Sequence, residues 1–513
     1  MRFLAMRSRL SLTQTSARAL PQPAQTVYAA PNLFYITAMT DSLYLRIAAE
    51  IAQRLDSGAY PPGSRLPSVR RLAAEHGVNV LTALAAYRHL ERQQRVSARP
   101  RAGFFAALPS RAQWASAAAS EVPSAATLVR VDSRMSQLIE WSRLDIGVQL
   151  HMAEAHCGMY PAAALARRLQ QALSGRPELI GAYLPRDEQA RLNRLVCELA
   201  AQWQLALEPD AILFTHGITE AISLSLRLLT RPGDTVAVET PVYFGLLQTL
   251  ETLGLKALEI PCTPDAGLSL EALEFALRHG PAPRCLVTVT NFQNPTGALM
   301  PDEAKKRLLQ LAYRHGLTII EDDVFGELYF GEQHPTPLKA WDRRGEVIYC
   351  SSFTKSFAPS FRLGWLSGGR HHAALARLSN SSSLVSSALY QAVLADMLAD
   401  GDYARFAAQL RRQLARQMGQ LADAVLAAFP KGTRLRRPQG GLLLWVECPE
   451  GLDAGRLLER ALAESISFAP GLVFSAEPRF GHCLRLNFGQ PWSPELARAI
   501  RTLGRLAGEQ LSQ

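Results

Sequence analysis

Lysine is scarce in this chain. Only six occur among 513 residues, at 256, 305, 306, 339, 355 and 431. That narrows the choice of any nucleophilic amine without naming one. Cysteine is sparse too: the seven, at 157, 197, 262, 285, 350, 448 and 483, are scattered, and none forms a Cys-x-x-Cys pair. An odd, dispersed set argues against a disulfide framework and against a metal site of the zinc type, and fits a reducing cytoplasm. No apolar run reaches eighteen residues, which argues against a membrane span. Acids are missing from residues 1–40, which hold four arginines and many small polar residues. No apolar stretch followed by a cleavage site is visible there, so a secretory signal is not expected. A disordered tail is expected, although the composition also suits an organellar presequence. Periodic structure starts just after Met39-Thr40-Asp41.

Arginine is abundant and unevenly placed. Lys and Arg total 55 against 45 Asp and Glu, a net charge of +10. Residues 1–110 hold 14 Arg, no Lys and 5 acids, or +9, which leaves 41 bases and 40 acids, or +1, for the remainder. A basic end on a neutral body is the footprint of a polyanion partner, although a solvated arginine-rich surface reads the same on charge alone. At this length, with 48% hydrophobic residues, two or more domains with ample core are expected.

Leu43, Ile47, Ile51 and Leu55 step by four, a helix period. Gly58 and Pro61-Pro62-Gly63 end that helix, and Pro67-Ser68 opens a second, with Ser68 as N-cap and Val69, Leu72 and Ala73 inward. Gly77 breaks it. A third helix is predicted over about 79–93, with Leu81, Leu84, Ala85 and Leu90 on its apolar side. Val96 to Ala106 reads as a hairpin around Pro100-Arg101-Ala102-Gly103. Helix, helix, turn, helix and hairpin make a winged helix-turn-helix over residues 41–107. The recognition helix of that motif enters the major groove of double-stranded DNA with its early residues on base edges. Those residues are Asn79, Val80, Leu81 and Thr82, with Tyr87 and Arg88 further along. Arg65, Ser68, Arg70 and Arg71 are placed for phosphates, which set position rather than sequence. Arg95, Arg99 and Arg101 on the wing are placed for backbone or minor groove. An Ala- and Ser-rich stretch over 108–144 reads as a linker.

From about residue 145 to 513, short apolar runs alternate with helical segments. Ala211–Phe214, Thr235–Val238, Cys285–Val289, Leu317–Ile320 and Val347–Tyr349 have the pattern of a parallel sheet covered on both faces. A helical, arginine-rich stretch (about 384–428) and a smaller α+β portion (about 434–513) follow. At the carboxyl ends of these strands stand residues that together suit pyridoxal 5'-phosphate. Thr215-His216-Gly217-Ile218-Thr219 leaves a strand and enters a helix, so the Ile218 and Thr219 amides can cup a phosphate. Ser352, Lys355 and Arg362 flank phosphate and aldehyde from the other side, Arg362 as a two-pronged donor. Lys355 supplies the amine for a Schiff base, an aldimine. Tyr243 is placed to stack on the ring, and Asn294, in Asn294-Pro295-Thr296-Gly297, to hold the ring hydroxyl oxygen. Asp322, in Glu321-Asp322-Asp323, is the carboxylate for the pyridine nitrogen, which it keeps protonated. Singly each has a plain explanation: a solvated lysine, a turn, a helix cap. Together, in this order, they converge on one cofactor.

Residues 43–106 resemble the GntR-type winged helix, on Pro62-Gly63-Ser64-Arg65-Leu66-Pro67-Ser68, Leu72-Ala73, Gly77-Val78, Tyr87, Leu90-Glu91 and Gly103-Phe104-Phe105. The family often has Ser-Arg after the Gly-Val of the turn, where this chain has Asn79-Val80. From about residue 145 the chain is similar to fold-type I aminotransferases of the aspartate aminotransferase class. That resemblance implies the same roles for Lys355, Asp322, Asn294, Arg362, Ser352 and Tyr243. It adds Arg485, in Leu484-Arg485-Leu486-Asn487-Phe488, as the holder of a substrate carboxylate. The family places a Tyr three residues after the pyridine Asp; here stands Phe325, without the hydroxyl that tunes the cofactor. Joined, the halves resemble the MocR subfamily of bacterial transcription regulators. The resemblance implies a cytoplasmic, nucleoid-associated homodimer whose heads bind repeated DNA half-sites and which senses an amino acid, an amine or the cofactor itself. An aminotransferase with a secondary DNA-binding head is the alternative, and another reaction of the same cofactor a third.

Overall fold

The computed structural model describes residues 43–56, 60, 64–92, 95–99, 103–106, 125–129, 147–263, 265–384 and 386–512. The expected tail over 1–40, Arg101 in the wing turn and most of the expected linker lie outside the described residues. The chain divides into two compact units, residues 1–110 and 111–513.

In the first unit, α1 (Leu43–Asp56), α2 (Val69–Glu75) and α3 (Val80–Arg92) precede a hairpin of β1 (Val96–Arg99) and β2 (Gly103–Ala106). Ser68 caps α2, its Oγ accepting from the Arg71 amide at 3.2 Å. Gly77, at φ +62°, lets the chain turn from α2 toward α3. Ile47 and Ile51 of α1, Leu72 and Ala73 of α2, Ala83, Ala86 and Leu90 of α3 and Phe104 of β2 share one core. Two expectations on α3 are corrected. Leu81 is 75% exposed rather than on the apolar side, because the buried stripe runs through Ala83, Ala86, Tyr87 and Leu90. Tyr87 is fully buried, its ring stacked on Phe104 at 4.6 Å and its hydroxyl donating to the Pro67 carbonyl at 2.7 Å. It is a core residue that ties α3 to the start of α2, and it is not available to DNA.

The second unit begins, among the described residues, with β3 (Thr127–Leu128) and β4 (Val148–Gln149). There follow β5 (Leu213–Thr215), β6 (Thr235–Thr240), β7 (Lys256–Thr263), β8 (Gly267–Leu268), β9 (Cys285–Thr288), β10 (Thr318–Asp322), β11 (Val347–Ser352) and β12 (Gly364–Ser367). The large sheet has the order β3-β7-β6-β9-β10-β11-β12-β5, with β8 paired to β7. Strands β7, β6, β9, β10 and β11 run parallel, and β12 is antiparallel to both of its neighbours. The all-parallel expectation therefore gains an antiparallel strand between β11 and β5. Alternate residues face different cores: Val236, Val238, Ile320 and Ile348 on one side, Ala237, Ile319 and Val347 on the other. Burial of both faces is why these strands read as unbroken apolar runs.

Strands β7 and β3 are among the elements that escaped the sequence reading. β7 (KALEIPCT) is interrupted by Glu259 and Pro261; the buried Glu259 carboxylate is satisfied by Ser475 Oγ and the Ala476 amide, both at 2.8 Å. β3 falls inside the stretch read as a linker, where two residues pair with Lys256 and Ala257 of β7. The arginine-rich helical stretch is two helices, Ala388–Ala399 and Asp402–Ala428, separated at Gly401 with φ +71°. The C-terminal portion builds an antiparallel sheet of β13 (Arg434–Leu435), β14 (Leu443–Glu447), β17 (Cys483–Asn487) and β16 (Ala469–Pro470). β15 (Ile466–Ser467) pairs with β4. Among the described residues no helix is long and apolar enough to cross a membrane.

Candidate cofactor and ligand site, and candidate DNA face

In the second unit, Thr215, Asp322 and Ser352 are the last residues of β5, β10 and β11, and Tyr243 and Asn294 follow β6 and β9. Strand ends at one edge of an open α/β sheet are where such folds bind ligands. Gly217 (φ +85°) precedes the helix Ile218–Leu229. A Cβ added to Gly217 would lie 2.7 Å from Arg362 Nη2, so glycine leaves a cradle between the guanidinium and the helix start. The Ile218 and Thr219 amides have no acceptor among the described residues. Arg362, itself at φ +53°, donates to the His216 carbonyl at 3.3 Å. These donors suit a phosphate dianion.

Ser352 is buried, and its Oγ lies 3.0 Å from the Leu363 carbonyl and 2.7 Å from Thr354 Oγ1. Asn294 is joined to Pro295 by a cis peptide bond and follows Gln293, whose side chain donates to the Pro241 carbonyl at 2.7 Å and to the buried Glu239 at 3.2 Å. Burial pushes the Asp322 carboxyl up to about 7, with the neighbouring acids Asp323 and Glu321 adding to the effect and the Val324 amide opposing it. A buried carboxyl of that kind accepts a cationic ring nitrogen as its counter-ion. Burial pushes the Tyr243 hydroxyl up from its ordinary value, with the charges of Arg485 and Arg362 opposing the shift and that of Asp322 adding to it.

Lys355 sits in a turn braced from two sides. The Tyr160 hydroxyl donates to the Lys355 carbonyl at 3.4 Å, and Tyr403 reaches Ser356 Oγ at 3.1 Å while donating to Glu327 at 2.8 Å. Burial lowers the Lys355 amine from its usual range, and Glu154, 4.0 Å from Nζ, partly restores it. Among the other lysines, Lys305 is fully buried and committed to Asn291 Oδ1 and the Thr336 carbonyl, both at 2.7 Å. Arg485 is 1% exposed and has no acid partner among the described residues. It donates to Asn294 Oδ1 at 3.2 Å and to the His151 carbonyl, lies 5.0 Å from the Phe474 ring, and leaves Nε buried with no acceptor. Burial drives its guanidinium down to about 10. An unpaired buried cation is costly, and an anionic ligand would relieve it. Phe325 is 1% exposed, packed in the core beside this site.

Sequence reasoning missed Glu154, His151, Tyr160 and Tyr403. They come from segments distant in sequence from Lys355, and no spacing or motif links them to it. The structure brings Asp322, Tyr243, Arg362 and Arg485 into one field, joins Asn294 to Arg485, and puts Lys355 under the influence of Arg362 and Arg485.

In the first unit, Arg65, Ser68, Arg70, Asn79 and Arg88 are exposed and Thr82 is half-buried. Asn79 Oδ1 accepts from the Thr82 amide and hydroxyl at 2.7 and 2.9 Å, so both side chains serve the start of α3. Arg71 pairs with Glu75 at 2.8 Å. Arg95 turns back to the Ala52 carbonyl at 3.2 Å. Val80 and Leu81 are 48% and 75% exposed, an apolar tip at the first turn of α3.

Residues 43–106 match the bacterial regulatory proteins of the gntR family, and residues 143–503 match the aminotransferases of class I and II. The chain belongs to the class I and II aminotransferase family and carries a GntR-type DNA-binding head; its cofactor is pyridoxal 5'-phosphate. Within that class it belongs to the MocR subfamily of transcription regulators. It is 36% identical to the HTH-type transcriptional regulator YdcR of Escherichia coli, over 91% of this chain and 99% of that one. Its identity to the probable rhizopine catabolism regulatory protein MocR of Rhizobium meliloti is 26%, over 84% and 86% of the two chains. Among solved structures it is similar to the alpha-aminoadipate aminotransferase LysN of Thermus thermophilus, complexed with N-(5'-phosphopyridoxyl)-L-leucine. The TM-score is 0.67 and the identity 30%, covering 74% of this chain and 96% of that structure.

Proposed function

We propose that the protein is a cytoplasmic transcription regulator that binds double-stranded DNA through residues 41–107 and senses an amino acid, an amine or the cofactor itself at Lys355. Residues 145–513 are the sensing domain, and 108–144 the connector to the head. The chain acts as a homodimer, so that two heads address two half-sites. The observation that carries this reading is the presence, on one chain, of a GntR-type head and a site holding a half-buried lysine and an unpaired buried arginine. In this reading Ile218, Thr219, Ser352 and Arg362 hold the phosphate, Tyr243 covers the ring, and Asn294 and Asp322 hold its oxygen and nitrogen. The cofactor supplies a carbonyl for an amine and a ring that withdraws electrons. Lys355 would hold its carbonyl end, where a ligand's amine would also have to reach. Arg485 receives the ligand's carboxylate.

Regulation requires the ligand to change DNA affinity, typically by ~1–3 kcal/mol, about 5–150-fold. Fluorescence anisotropy on duplexes flanking the gene, with the loaded full chain and each standard amino acid, tests this. A ligand-dependent change of at least about fivefold, lost in Lys355→Ala, is expected. Unchanged affinity with every amino acid, and with and without the cofactor, contradicts the reading.

A second reading is supported by the convergence of the site residues: the protein transaminates an amino acid, and its head is secondary. Stoichiometric release of a keto acid on mixing with an amino acid favours that reading. A ligand that stays bound without keto-acid release favours the sensor, and Phe325 tilts the balance that way.

A further inference from the structure

The site brings together five charged side chains: Glu154, Asp322, Lys355, Arg362 and Arg485. On the reading above, Arg362 meets the phosphate, Asp322 the ring nitrogen, Lys355 the carbonyl and Arg485 the ligand's carboxylate. Glu154 has no counterpart. Its carboxylate is 38% exposed, accepts no hydrogen bond among the described residues, and has Lys355 Nζ at 4.0 Å as its ion-pair partner. Lys355 Nζ is also the group that would hold the cofactor's carbonyl, so Glu154 stands beside the place where a ligand amine must arrive.

Glu154 is also built in. The Asn487 side chain donates to the Glu154 carbonyl at 2.8 Å and accepts from the Gly489 amide at 2.7 Å. The Asn487 amide donates to the Leu150 carbonyl at 3.0 Å, and the His156 amide to the Gly489 carbonyl at 2.8 Å. A Cβ on Gly489 would lie 2.8 Å from the Glu154 carbonyl oxygen, so glycine permits this close seam. Arg485, two residues before Asn487 on β17, donates to the His151 carbonyl of the same segment. One strand thus fixes both the buried cation and the segment that presents the acid.

We infer that Glu154 is the acceptor for the ligand's ammonium group, so that the site selects zwitterionic amino acids over simple amines and simple carboxylic acids. This rests on the proposed sensing role of the Lys355 site and narrows it. A charge-assisted contact of this kind is expected to contribute about tenfold in affinity.

The test is calorimetry on the loaded full chain with the twenty standard amino acids, each against its deaminated acid and its decarboxylated amine. The wild type prefers the amino acid for at least one skeleton. Glu154→Gln narrows the preference over the deaminated acid by about tenfold, and Glu154→Asp, which keeps the charge, retains part of it. In the cofactor-free chain, Glu154→Gln moves the pH midpoint for labelling of Lys355 by trinitrobenzenesulfonate downward, since an anion that favours the ammonium is gone. An undiminished preference in Glu154→Gln, equal loss in the Gln and Asp variants, or wild-type binding of free acids as tight as of amino acids overturns the inference. So does a wild type that binds no amino acid. If in those cases the chain still binds cofactor through Lys355 and still changes its DNA affinity, the sensing role survives and the ammonium site alone falls.

Discussion

Arg485 shows how a residue's chemistry is set by its surroundings. A guanidinium buried without an acid is held by a carbonyl, an amide oxygen and aromatic faces, which leaves it suited to a ligand carboxylate. Asp322 carries a pH signature. Its folded carboxyl stands at about 7, as does the buried Glu239, against about 4 for an unfolded acid. Between those values the folded chain holds protons that the unfolded chain has released, so stability falls as pH rises through the window. The cofactor-free protein should therefore melt at lower temperature at pH 7 than near pH 5, and Asp322→Asn should flatten that slope, as followed by circular dichroism. Phe325→Tyr restores a phenol where the related enzymes have one. A phenol donating to the ring oxygen favours its anion, so the visible band of the loaded variant should titrate at lower pH than that of the parent.

Elements were legible where one physical pattern dominated. The strands β6, β9, β10 and β11 are apolar because both faces are covered, and their ends carry the residues whose order had pointed to the cofactor. β7 was hidden because its buried acid and proline mimic a loop, and only the partners supplied by Ser475 and Ala476 make that acid tolerable. Glu154 was illegible for another reason: its role comes from a seam with Asn487 and Gly489, more than three hundred residues away in sequence. On α3, helix period alone could not set the rotation of the helix, so Leu81 was placed inward and Tyr87 outward. Their exchange separates stability from recognition. Tyr87→Phe loses one buried hydrogen bond and should cost the head about 1 kcal/mol in urea unfolding, with little change in DNA affinity once folded. Arg88→Ala should leave unfolding unchanged, while weakening DNA binding and reducing its salt slope by about 1 if the side chain meets a phosphate.

At the scale of the whole molecule, two units with separate cores share one chain, and the proposed function lies in the coupling between them. That coupling depends on one lysine of six joining the cofactor. The most direct measurement is borohydride reduction of the full chain incubated with pyridoxal 5'-phosphate, followed by peptide mass spectrometry. A phosphopyridoxyl group confined to Lys355, and absent from the Lys355→Ala variant, is the result expected here. Labelling spread over the other lysines, or none at Lys355, would contradict it.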